Sequence, residues 1–85
     1  MAPPKREMLE DHLVQSSEHV AAGERQLSRQ RRIVAELERC GHDSANAKER
    51  LALFEDLQRL HEADRDRLLR EVDNWRPPTR RGLVK

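Results

Sequence analysis

Cys40-Gly41-His42-Asp43-Ser44 decides how this chain folds, because it separates two amphipathic segments of nearly equal length. Gly41 is suited to end a helix in the left-handed conformation, and Asp43 or Ser44 to cap the next by accepting from its free amides. Between Glu7 and Trp75 the only other breaker is Gly23. The layout predicts an all-α, antiparallel, coiled-coil-like hairpin: helix 7–40, turn 41–43, helix 44–75, with tails at 1–6 and 76–85.

Working outward from the turn, Leu9, Leu13, Ser16, Val20, Gly23, Leu27, Gln30, Val34 and Leu37 alternate by four and three residues without a slip. That spacing is a heptad seam, the mark of supercoiled helices. Its small members invite close approach of a partner helix, while Gln30 needs a polar partner. Gly23 costs about 1 kcal/mol of helix propensity relative to alanine; it serves either a close packing contact or a mildly flexible point. After the turn, Ala47, Leu51, Phe54, Leu57, His61, Asp64, Leu68, Val72 and Trp75 form the expected second stripe, widened by Leu53, Leu60 and Leu69. Arg76 precedes Pro77, which disfavours helix at Arg76 and ends the segment. Folding at Gly41 pairs residues whose numbers sum to roughly 81–85, an expectation from the helical hairpin geometry. Leu27 then meets Phe54 and Leu57, and Val20 and Gly23 fall near His61 and Leu60.

Two helices alone bury a narrow seam, and so small a chain needs a staple, a metal or a partner. The second segment is wider on its apolar side than one partner helix requires. The expected core and dimer interface is therefore Leu13, Val20, Leu27, Ile33, Val34, Leu51, Leu53, Phe54, Leu57, Leu60 and Leu68. An antiparallel dimer forming a four-helix bundle is the simplest assembly. Ser16, His61 and Asp64 are expected to form a polar core layer that sets helix register at some expense in stability.

Composition agrees with exposed helices. Charged residues make up 39% of the chain and aromatic ones 2%, which leaves a sheet little to build on. Ten of eleven leucines fall within the two periodic segments, against disorder. Cys40 is the lone cysteine, so no intramolecular disulfide forms. Absence of a long apolar run or a signal-peptide pattern points to a soluble cytoplasmic protein with no membrane association. The net charge of +1 conceals a separation: −5 on residues 7–75 against +6 on the two tails. A hairpin releases both tails at one end, where Lys5, Arg6, Arg76, Arg80, Arg81 and Lys85 would gather as possible phosphate contacts.

The pattern argues against chemistry. His12 and His19 lie seven residues apart, about 10.5 Å along a helix, too far for one ion to bridge within a chain. His61 and Asp64 are three apart and supply two ligands, too few without symmetry. No metal site and no cofactor is expected. Cys40 near a helix C-terminus meets a field that disfavours thiolate. There is no nucleophile elbow or phosphate-binding glycine loop. Arg29, Arg31 and Arg32 read as an outer face salt-bridged by Glu36 and Glu38.

Gly41-His42-Asp43, Leu51, Phe54-Glu55, Gln58, Leu60-His61 and Asp64-Arg65-x-Arg67-Leu68, with His19-Val20-Ala21-x-Gly23-Glu24 and Gln30-x-x-Ile33-x-x-Leu37-Glu38, resemble a pattern of short uncharacterised bacterial hypothetical proteins. The resemblance spans residues 12–72 and implies a small α-helical hairpin without an assigned activity. It directs attention to Gly41-His42-Asp43 and to Leu60-His61-x-x-Asp64-Arg65. The functional expectation is a non-enzymatic structural or protein-interaction module, homo-oligomeric, with an unidentified protein partner. A small nucleic-acid-associated protein acting through the basic tails is the alternative.

Overall fold

A computed structural model describes residues 5–76 and shows two antiparallel helices packed along their length, α1 (Arg6–Arg39) and α2 (Ala45–Asn74). The described residues contain no strand. The expected bounds, 7–40 and 44–75, lie a residue away.

Local chemistry explains where each helix stops. Glu7 sits in the first turn of α1, where a carboxylate complements the positive dipole end. At the other end Gly41 takes φ +74°, its amide donates to the Glu38 carbonyl at 3.1 Å, and the His42 amide donates to the Leu37 carbonyl at 2.8 Å. This crossed pair satisfies two carbonyls that the last turn would leave open, and it needs a residue that tolerates positive φ. Asp43 then accepts from the Ala45 amide at 3.0 Å, opening α2. Ser44 occupies the position before the helix but gives its hydroxyl to Glu38 instead.

The seam of α1 holds throughout: Leu9, Ser16, Val20, Leu27, Gln30 and Val34 are buried, and Leu13, Gly23 and Leu37 half-buried. The seam of α2 differs from the expected stripe. It runs Ala47, Leu51, Phe54, Gln58, His61, Arg65, Leu68, Val72 and Trp75, again alternating four and three without a slip, with Gln58 and Leu68 buried and the rest half-buried. Leu57 and Asp64 are exposed. The reason is rotational. At about 100° per residue, Gln58 lies about 20° from the bearing of Leu51, whereas Leu57 lies about 120° away. Two successive three-residue steps cannot stay on one face of a helix.

Register holds to within about a turn of the expectation. Contacts between the two sides join residues whose numbers sum to 77–86: Gln30 with Ala47, Gln58 with Val20 and Gly23, Ser16 with Asp64, His19 with His61, and Glu38 with Lys48. Gln58, rather than His61 or Leu60, therefore faces Val20 and Gly23. The apolar core is thin. Leu9, Val20, Leu27, Val34 and Leu68 are its buried hydrophobic members, with no large side chain fully enclosed.

Candidate interaction surface

Three polar contacts stitch the seam. Gln58 Nε2 donates to the Val20 carbonyl at 2.8 Å, and Gln30 Nε2 donates to the Ala47 carbonyl at 3.0 Å. Each glutamine thus reaches from one helix to the backbone of the other. The Ser16 hydroxyl donates to Asp64 Oδ2 at 3.0 Å. Backbone carbonyls in a helix keep a second lone pair, so these amides dock without breaking the helical ladder. Moving the register by a single residue would strand both glutamines in the seam, where an unpaired polar group costs about 1–3 kcal/mol.

Gly23 is explained by Gln58. A Cβ at position 23 would lie 1.8 Å from Gln58 Oε1 and 2.7 Å from Cδ. Close packing, rather than flexibility, accounts for the glycine. Gln58 Oε1 and His61 Nδ1 are buried without a hydrogen bond among the described residues. The His61 ring lies 5.7 Å from that of His19, centroid to centroid and tilted by 38°. Of the expected polar layer, Ser16 is buried and His61 half-buried, but Asp64 stands on the exposed edge and reaches in through one oxygen. Its other oxygen accepts from Arg67 at 2.7 Å. The Arg67 guanidinium, and after it the Ser16 hydroxyl, hold the Asp64 carboxyl below its ordinary range.

Near the turn, two ion pairs cross between the helices: Lys48 with Glu38, and Arg31 with Glu55 at 3.8 Å. Lys48, and secondarily Ser44, lowers the Glu38 carboxyl. Glu36 pairs with Arg39, so the expected neutralisation of Arg29, Arg31 and Arg32 by Glu36 and Glu38 does not occur. Arg29 and Arg32 instead border a shallow groove of about 490 Å³ with Ile33, Glu36 and Leu37. Cys40 is exposed, its thiol donating to Glu36 at 3.4 Å. Among the described residues no three His, Cys, Asp or Glu side chains converge on a point where an ion could sit.

The outward side of α2 carries a cluster of exposed apolar side chains. Leu53, Leu57 and Leu60 are 57%, 43% and 66% exposed, and Ile33 of α1 is exposed at 44%. All four were expected in the core or at a dimer interface; the hairpin itself leaves them uncovered. Leu13, Leu51 and Phe54 are half-buried, and Val20, Leu27, Val34 and Leu68 are buried. Gln58 was missed as a seam residue. Strict continuation of the four-three alternation through α2 would have found it.

Of the expected phosphate contacts, Lys5, Arg6 and Arg76 are exposed, with Arg6 paired to Glu10 at 3.2 Å and Arg76 donating to the Trp75 carbonyl at 3.0 Å. Arg80, Arg81 and Lys85 lie outside the described residues. Among the described residues no helix is long and apolar enough to cross a membrane. No protein-family model, curated protein or solved structure matches this chain.

Proposed function

We propose that this chain is a non-enzymatic protein-interaction module whose hairpin pairs with a second copy of itself through the outward leucines of α2, presenting a charged outer surface to another protein. One observation carries the reading. Five hydrophobic side chains are buried in the hairpin, while seven large ones remain exposed, three of them contiguous on α2. Small domains with thin cores are marginal alone, and contiguous apolar patches on soluble proteins mark contact surfaces. A shallow groove without converging acid, base or nucleophile supports binding rather than catalysis. A cytoplasmic setting suits a lone exposed thiol. The described residues carry 14 lysines and arginines against 16 acids, a balance that opposes phosphate binding by the hairpin body.

Sedimentation equilibrium of the full chain at micromolar concentration tests this. The expected species has twice the chain mass; a stable, fully helical monomer would contradict the reading.

A further inference from the structure

The geometry points to one specific pairing: a twofold, end-over-end dimer in which α2 lies antiparallel on α2 of the second copy, with the axis passing at Leu57. This rests on the self-association proposed above and adds its orientation and register. Arg50, Leu53, Leu57, Leu60 and Asp64 are spaced three, four, three and four residues apart, so they form a second heptad stripe beside the seam, its leucines exposed and its Asp64 end on the edge shared with Ser16 of α1. All five are exposed. The stripe is symmetric about Leu57 in size and antisymmetric in charge. Rotation about Leu57 sets Leu57 on its own copy, interleaves Leu53 with Leu60, and brings Arg50 opposite Asp64 twice. A parallel arrangement would set Arg50 on Arg50 and Asp64 on Asp64.

The whole hairpin repeats this polarity. Residues 25–59, the half containing the turn, hold eight basic and six acidic side chains; the rest of the described residues, 5–24 and 60–76, hold six basic and ten acidic. End-over-end pairing lays the positive half on the negative half, while parallel pairing lays the two acidic halves together. Leu57 also lies within a turn of the midpoint of α2, so the two hairpins overlap over nearly their full length. A face about 45 Å long and about 20 Å wide supplies about 900 Å² a side, close to the roughly 800 Å² of a standard stable interface.

The native lone Cys40, exposed beside the turn, serves as the label site. Nitroxides there, measured by pulsed electron resonance on the full-length dimer, should lie about 50 Å apart, since each turn sits about 16 residues of rise from the axis. A separation below about 20 Å, the width of a bundle, would overturn the orientation while leaving self-association standing. A monomer in the same sample overturns both, and leaves the stripe for a different protein. Charge reversal checks the register. Arg50→Glu and Asp64→Arg should each weaken the dimer roughly tenfold, and the double variant should recover most of that loss. Positions 50 and 64 are about 21 Å apart along α2, so recovery can only arise between chains. Absence of recovery would overturn the Leu57 axis.

Discussion

Helix α2 carries two heptad stripes, and in its middle turns the inward one is the more polar. Across its middle turns the inward stripe reads Phe54, Gln58, His61 and Arg65, while the outward stripe reads Leu53, Leu57 and Leu60. The middle turns therefore did not choose which face packs on α1. Length did: the inward stripe is apolar toward both ends of the helix, at Ala47, Leu51, Leu68, Val72 and Trp75, whereas the outward one turns polar at Arg50 and Asp64, and the α1 seam runs the full length. The glutamines make that choice tolerable by reaching backbone carbonyls across the seam. What the hairpin leaves outside is then available to a second chain.

The comparison breaks most visibly at the buried members of the inward stripe. Leu68, 4% exposed, should cost about 3 kcal/mol when replaced by alanine, as buried leucines do, in a denaturant melt of the full chain. Leu60→Ala should cost far less at low protein concentration and act mainly on the concentration dependence of the melt. Equal losses at all concentrations would erase the distinction between the stripes.

Gly23 sharpens it next. Gly23→Ala should lower stability by about 1–2 kcal/mol, because Gln58 is displaced and its hydrogen bond to Val20 is lost. In a Gln58→Ala background the same change should raise stability by about 1 kcal/mol, the ordinary propensity gain. Thermal melts of the four chains decide the sign; a loss in both backgrounds would separate Gly23 from Gln58.

The smallest effect is expected at acid pH. Lys48 lowers the Glu38 carboxyl, and Arg67 lowers that of Asp64. With folded values below the unfolded ones, both carboxylates contribute stability above the ordinary carboxylate range, and that contribution is lost as pH falls through and below it. Both groups are exposed, so the melting point should fall only modestly between about pH 6 and about pH 3, and Asp64→Asn should flatten part of that slope. A rise on acidification would contradict the sign.

The turn and the whole α1 seam were legible in sequence, because Gly41 demands a positive φ and the α1 spacing admits one phase. The α2 phase was not. Choosing leucine over glutamine at position 57 or 58 followed hydrophobicity, whereas a glutamine that caps a backbone carbonyl is as acceptable inside as an aliphatic side chain. Its suitability depends on Val20 being opposite, and that follows from register, which a single helix does not reveal. Asp64 was placed near Ser16, but its position on the edge follows only once Arg65 is seen to occupy the seam. The outward leucines were recognised as surplus to a two-helix seam, although Leu57 was counted in the seam itself.

Leu57→Glu, followed by sedimentation equilibrium together with far-ultraviolet circular dichroism, tests the division of labour between the two stripes most directly. Leu57 is exposed in the hairpin, and its neighbour Gln58 is buried. The account predicts a parent chain that is dimeric and a variant that is monomeric at the same concentration with its helical signal retained. A variant that remains dimeric, or one that loses its helices along with its partner, would contradict it.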